Sequence, residues 1–317
     1  MKYFFVNPSI LSPLSQRKSR AVRAIEIMNL LLKDKYLKDN RWELWAQNHK
    51  KMTNHINVNT LLKFQSDSIL GPHIIGGSGL HFMDLMIKKL GYSKYEFIMK
   101  NYTETICGEP KDLTTFDSRQ ITRTSMRHIY HLAMLHDYCK NVFSFPIDFV
   151  EVGGGFGNLA RLVTQYHLCK RYFIFDYPVT LAIQYFYLGE FFKSGEVAVI
   201  SENGEFIEGD ENSKIMLCVP AVLTRATEML ITPYAFVSTL ALTEIPKKGQ
   251  DEYLEKLNPA LIYIYGQLQN LAVADGESAG KNKLDNNSAL FSLINKYHTI
   301  NYDFYGYNFE YMGRTFY

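Results

Sequence analysis

Asp148-Phe149-Val150-Glu151-Val152-Gly153-Gly154-Gly155-Phe156-Gly157-Asn158 is an apolar run tipped by an acid and followed by glycines at alternate positions. A helical pattern opens at Asn158. The stretch predicts a buried parallel strand over 149–152, a tight turn and a helix N-terminus. Such a turn lets another molecule come against the backbone, because a Cβ at Gly153, Gly155 or Gly157 would stand in the way or forbid the dihedrals.

The spacing is acid-x-Gly-x-Gly-x-Gly, filled by Glu151, Gly153, Gly155 and Gly157. The dinucleotide fingerprint wants Gly-x-Gly-x-x-Gly. Counted from Gly153 its third glycine would fall on Asn158, and counted from Gly154 its second would fall on Phe156, so a nicotinamide oxidoreductase is disfavoured. The observed spacing resembles the first motif of the class I S-adenosylmethionine-dependent methyltransferases, in which the turn passes beneath the methionine part of the cofactor. A second run, Arg171-Tyr172-Phe173-Ile174-Phe175-Asp176-Tyr177-Pro178, ends in an acid after the next helix. A carboxylate at a strand's C-terminal end can accept both ribose hydroxyls of a nucleoside. Its Phe-Asp-x-Pro form is similar to the second motif of small-molecule O-methyltransferases. The alternative is a glycine-rich turn and a capping aspartate with no ligand.

The resemblance implies S-adenosylmethionine as cofactor, and a Rossmann-like, seven-stranded class I methyltransferase sheet of α/β class with a helical N-terminal region. It implies cofactor contacts at Glu151, Gly153, Gly155, Gly157, Asn158, Asp176 and Tyr177. Asp176 is expected on the ribose. Glu151 is expected to accept from turn amides or, through water, from the cofactor ammonium. Asn158 is expected to cap its helix or to touch the cofactor.

Periodicity divides the chain. Residues 1–140 read as mainly helical, a substrate-side or cap region; residues 141–317 alternate strand and helix, the mark of an open parallel sheet. Asp117 to Lys140 is expected to be one long helix with Arg119, Arg123 and Arg127 along one face, either solvated or recognising an anion or polyol. Arg17, Lys18, Arg20 and Arg23 form a basic cluster read as a solvated face or as a contact for an acidic ligand. In the second half the expected strands are 149–152, 172–175, 215–219, 236–240 and 261–265. A small hairpin is expected over 196–208, a loop over 270–288, and an antiparallel hairpin from His298 to the end.

Composition excludes some classes of function. A net charge of +2 gives no electrostatic case for nucleic acid. Four scattered cysteines without a CxxC pair argue against a zinc site or disulfide framework. No run approaches the ~20 apolar residues of a membrane span, and the N-terminus lacks a signal-peptide pattern. The expectation is a soluble, cytoplasmic protein with no resident metal. His128, His131 and His136 do not share one helix face with carboxylates, which speaks against a metal there.

A third segment narrows the resemblance. Val237-Ser238-Thr239-Leu240-Ala241-Leu242-Thr243-Glu244-Ile245-Pro246 looks like the strand-four region of the sugar O-methyltransferases of bacterial surface-glycan gene clusters, although Ile245 replaces their Met and Ser238-Thr239 their Asn. It implies a sugar or glycan acceptor in capsule or lipopolysaccharide synthesis, with the N-terminal half supplying the acceptor pocket and a homodimer contact. Glu244, just past strand four, is the first candidate for the general base, with a helix-capping carboxylate as the alternative. His128 and His131 are further catalytic candidates, and His81 stands behind them. Another small-molecule acceptor, or a non-catalytic assembly partner that keeps the fold, remains open.

Overall fold

The computed structural model describes residues 11–32, 43–74, 79–231, 233–245, 247–267, 297–305 and 308–315. The loop expected over 270–288 lies outside the described residues. The helical part runs α1 (Leu14–Leu32), α2 (Glu43–His55), α3 (Val58–Leu62), α4 (Gly71–Ile74), α5 (Leu80–Leu90) and α6 (Tyr92–Asn101). A hairpin of β1 (Leu113–Phe116) and β2 (Arg119–Thr122) leads into α7 (Arg123–Val142). The alternating part follows as β3 (Ile147–Val152), α8 (Asn158–Gln165), β4 (Cys169–Phe175), α9 (Pro178–Leu188), β5 (Val197–Ile200), β6 (Phe206–Glu208), β7 (Ile215–Cys218) and α10 (Leu223–Met229). It ends with β8 (Tyr234–Thr239), α11 (Ala241–Glu244), α12 (Lys247–Lys256), β9 (Leu261–Gln267), β10 (His298–Tyr305) and β11 (Asn308–Arg314).

The long helix starts later than its pattern suggests. Asp117 and Ser118 adopt positive φ, 46° and 60°, and turn the chain so that Arg119–Thr122 pairs with Leu113–Phe116. Thr122 then caps α7, its hydroxyl accepting from Ser125 N at 3.0 Å. Arg119 is therefore on a strand and donates to Met99 O, off the helix that carries Arg123 and Arg127.

The fold class is the expected one, α/β and Rossmann-like. Among the described residues the main sheet has nine strands, ordered β10-β11-β9-β8-β3-β4-β7-β5-β6. Six of them, β9, β8, β3, β4, β7 and β5, are mutually parallel; β11 runs antiparallel to β9 and β10 to β11. The expected count of seven is exceeded because the hairpin of β5 and β6 joins the edge beside β7 instead of standing apart. Strands buried on both faces read as apolar-rich runs, which is why β3, β7 and β8 were visible in the sequence.

Strand order reverses at β3. The chain moves outward through β4 on one side and returns to β8 on the other, so the carboxyl ends of β3 and β8 flank a topological switch point. Open α/β sheets bind ligands in the crevice at such a point.

One apolar cluster runs through both parts of the chain, from Ala21 and Ile27 on α1 through Ile129 on α7 to the sheet. The basic cluster on α1 belongs to this packing. Arg20 pairs with the buried Glu190 beyond α9, and Arg23 holds Glu208 of β6 at 2.9 Å, so neither arginine is a free face for a ligand. All four cysteines are buried and unbridged. Among the described residues no helix is long and apolar enough to cross a membrane.

Asp148, buried at the base of β3, accepts from Arg171 on β4 at 2.5 Å and from Ile231 N at 2.9 Å. Removing the carboxylate strands a guanidinium that is mostly covered. Asp148→Ala is expected to cost about 3–5 kcal/mol in denaturant unfolding; a loss below about 1 kcal/mol would show that water replaces the carboxylate.

Candidate functional site

Where β3 ends, Gly153, Gly155 and Gly157 take φ of 75°, 54° and 90°. At Gly153 the demand is also steric, since a Cβ there would stand 2.0 Å from the Cβ of Ala241 on the neighbouring α11. The turn is closed by Gly157 N donating to Gly154 O at 2.8 Å and anchored by Gly153 N donating to Phe175 O at 2.9 Å. Gly157 is the N-cap of α8, so Asn158 is the first helical residue and not the cap.

Asp176 stands at the carboxyl end of β4, half-buried, with one carboxylate oxygen accepting from Tyr177 N at 2.8 Å. Its other oxygen accepts from Gln184 Nε2 at 2.9 Å, and the same amide donates to Gly155 O at 2.9 Å. Gln184, on α9, therefore joins the second acid to the glycine turn. Burial pushes the Asp176 carboxyl up to about 7, against the pull of those hydrogen bonds. Tyr177, the next residue, stacks on His49 of α2 with ring centroids 3.5 Å apart.

These groups line a cleft of about 210 Å³ at the switch point. Its floor is Gly153, Gly154 and Gly155, with Asp176, Tyr177 and Thr180 on one side. Thr239, Leu240, Ala241 and Glu244 come from the end of β8 and from α11. Arg127 and His128 come from α7, and His49, Pro72, His73 and Ile74 from the helical part. Leu240 holds φ 91° and ψ −46°, a strained conformation outside glycine. It follows Ser238, whose hydroxyl donates to Val152 O at 3.1 Å and accepts from Leu242 N at 2.9 Å. Ser238 thus ties the ends of β8 and β3 together where the chain turns into α11.

The predicted site residues divide. Gly153, Gly155, Asp176, Tyr177, Glu244 and His128 line the cleft. Glu151 does not. It is enclosed beneath the turn, where its carboxylate accepts from the Tyr172 hydroxyl at 3.0 Å and burial pushes it up to about 8. Gly157 turns the chain into α8 outside the cleft lining. Asn158 is fully buried behind the wall and touches no part of the cleft lining except His128. The catalytic expectation for His131 does not hold: it is enclosed, bonded through Nδ1 to the Tyr263 hydroxyl at 2.7 Å, and off the cleft. Burial beside Arg127 also holds it well below the usual histidine range.

His128 reaches the cleft, but its neighbours make it a donor. Arg161 Nε, which can only donate, gives its hydrogen to Asn158 Oδ1 at 3.0 Å. That fixes the amide, so Asn158 Nδ2 faces His128 Nδ1 at 3.0 Å and donates to it. Burial, with Arg127 and Arg161 nearby, keeps the imidazole neutral. A neutral ring that accepts at Nδ1 carries its proton on Nε2, so His128 offers a hydrogen and does not act as a base. Glu244 behaves differently: burial raises its carboxyl, opposed by the Arg127 charge, which suits a group that takes up a proton.

Gln184 and Ser238 were not anticipated as site-building residues. Gln184 left a trace, as a lone carboxamide in the otherwise apolar run Pro178–Leu188. Arg127 was read as one of three arginines on a face, whereas its own side chain is buried at the cleft.

No protein-family model and no curated protein matches the chain. Solved structures do. The N-methyltransferase NodS from Bradyrhizobium japonicum WM9, in complex with S-adenosyl-L-homocysteine, is 12% identical over 70% of this chain and 98% of its own, with a TM-score of 0.39. Magnesium protoporphyrin IX methyltransferase from Synechocystis PCC 6803, with the same compound bound, is 10% identical over 75% of this chain and 100% of its own, at 0.36. TrmK from M. capricolum, also with that compound, is 11% identical over 57% and 67%, at 0.34. Likeness this distant carries nothing about the reaction; the fold rests on the strand order and the site on its geometry.

The histidine assignment can be checked directly. Nitrogen-15 NMR is expected to show His128 as the Nε2–H tautomer, still neutral where an ordinary histidine has taken up its proton. An Nδ1–H tautomer, or a charged ring near pH 6, would contradict the Asn158 orientation.

Proposed function

We propose that the chain is an S-adenosylmethionine-dependent methyltransferase acting on a hydroxyl, with a sugar as the acceptor class. The observation that carries the cofactor is the Gln184 link between the glycine turn and Asp176, at the switch point of the sheet. It holds a side-chain-free floor and a ribose-type acceptor in one fixed relation. The hydroxyl as acceptor is supported by Glu244, a half-buried carboxyl with a raised proton affinity on the opposite wall. The sugar, and a role in capsule or lipopolysaccharide synthesis, are supported by the segment Val237 to Pro246 alone.

When bound, the cofactor supplies an electrophilic methyl group on a sulfonium. The chain's own residues position, shield and deprotonate. Asp176 would accept from the ribose diol, and Gly153 and Gly155 would let the aminoacyl portion approach the backbone; all three line the cleft. Tyr177 and His49, stacked together, close one side. We assign residues 1–140 the acceptor side, since His49, Pro72, His73, Arg127 and His128 all come from there, and residues 141–317 the cofactor side. Holding both partners in line can contribute about 7–11 kcal/mol in favourable cases. Glu244 removes the hydroxyl proton, a contribution of roughly 10²–10⁴ in rate.

Two measurements follow. The Asp176 carboxyl, raised to about 7, is protonated in acid, while a ribose diol needs the carboxylate as acceptor. Binding then releases a proton below that value, so affinity rises with pH and levels off above it. Calorimetry with S-adenosylhomocysteine is expected to give about tenfold tighter binding at pH 8 than at pH 6. Asp176→Asn should flatten that dependence; a wild-type affinity that does not change with pH, or an unchanged affinity in the variant, overturns the ribose assignment. Glu244→Gln is expected to lower kcat by roughly 10²–10⁴ with cofactor affinity kept within about threefold; full turnover in that variant removes Glu244 as the base.

A further inference from the structure

Arg127 is 6% exposed and lines the cleft from the second turn of α7. A guanidinium has five N–H donors and no acceptor. Among the described residues none of them is matched by a hydrogen bond or salt bridge, and Nε is fully enclosed without a partner. The other buried arginine among the described residues, Arg161, keeps one unmatched nitrogen, Nη2, but donates to Asn158 and to the Thr103 carbonyl and lies over the Phe191 ring. The charge acting on Arg127 is that of Glu244, which lines the same cleft, while His128 beside it is neutral and offers a hydrogen. A mostly covered cation without a partner is costly to a fold. The cost is understandable if the partner arrives with a ligand.

The cleft is therefore polarised. At one end Asp176 presents a carboxylate held by Tyr177 N and Gln184. At the other, Arg127 and the His128 ring present donors only. Planar donors in a fork match the paired oxygens of a carboxylate or a phosphoryl group.

Resting on the methyltransferase reading, we propose that Arg127, with His128 beside it, forms an anion-binding end of the cleft that holds a carboxylate or phosphoryl group next to the reacting centre. Two sources bring such a group. One is an acceptor that carries an acid close to the hydroxyl handed to Glu244, as an acidic or phosphorylated sugar does. The other is the aminoacyl carboxylate of the cofactor. Arg127 is in either case a binding residue, and its charge beside Glu244 also opposes the rise in that carboxyl's proton affinity.

The test uses the full chain and the variants Arg127→Gln and Arg127→Lys, with calorimetric titration of three probes. These are S-adenosylhomocysteine, 5′-methylthioadenosine (which keeps the nucleoside and sulfur but lacks the aminoacyl tail), and inorganic phosphate or acetate added to protein saturated with S-adenosylhomocysteine. If Arg127→Gln weakens S-adenosylhomocysteine by about thirtyfold, as losing a hydrogen bond to a charged group does, and leaves 5′-methylthioadenosine within about twofold, the site holds the cofactor's carboxylate. Should S-adenosylhomocysteine be unaffected while the wild type binds phosphate or acetate and Arg127→Gln does not, the site holds the acceptor's anion. Arg127→Lys is expected to fall between the two in either case. The proposal is overturned if Arg127→Gln changes neither nucleoside nor anion binding, or if it lowers both nucleoside affinities together with the melting temperature, which marks a structural cation. A wild type that binds neither nucleoside sinks the cofactor reading, and phosphate and acetate titrated into the unliganded wild type and Arg127→Gln then decide on the anion site alone.

Discussion

One carboxamide makes the cleft a single object. Gln184 donates to the carbonyl of Gly155 and to the carboxylate of Asp176, so the turn after β3 and the end of β4 cannot drift apart without losing both bonds. Gln184 is fully buried, and each lost bond would leave a polar group unmet where water does not reach. A parallel sheet delivers strand ends to one edge but does not by itself fix their spacing. Here a side chain on α9 sets it, with Ser238 performing the corresponding task between β3 and β8.

The wall opposite is built by a second buried network. Glu104 accepts from Thr122 N and from the Ser125 hydroxyl at the start of α7, and Asn158 donates to Ser125 and to His128. Arg161 completes the chain by orienting Asn158. The helical part thus docks on α8 through polar groups with defined donors and acceptors, which fix rotation and register more tightly than apolar packing does. Asn158 meets the cleft lining through His128, and the direction of the His128 proton depends on it.

How far the sequence was legible follows from the range of the interactions. β3, β4, β8 and β9 were readable because doubly buried parallel strands are apolar runs ended by turn chemistry, and the acid-glycine spacing belongs to one continuous segment. The β1–β2 hairpin escaped because its turn is made by Asp117 and Ser118 with positive φ and no glycine, so the helical pattern of α7 seemed to run on through Arg119. Position alone could not separate His128 from His131. They are three apart on the same helix, but one meets Asn158 and the cleft and the other meets Tyr263, residues 30 and 132 positions away. The roles of Gln184 and Arg127 are likewise set across space: local pattern marks a buried amide and an arginine stripe, and only the packed sheet shows what each one faces.

The ionisable groups of the cleft share a common imbalance. Asp176 and Glu244 are raised by burial, and so is Glu151 beneath them, while Arg127 is lowered by it. In each case desolvation disfavours the charged form, and the internal hydrogen bonds of the fold do not fully offset that. A chain selected for stability alone would fill these positions with apolar groups of similar size. Keeping charges half-matched, around a glycine floor and a strained Leu240, leaves free energy to be recovered when a molecule of complementary polarity enters. A donor-rich diol at one end and an anion at the other would satisfy the cleft at both poles. A capping aspartate beside an empty turn would explain Asp176 but would leave the buried guanidinium of Arg127 without a reason.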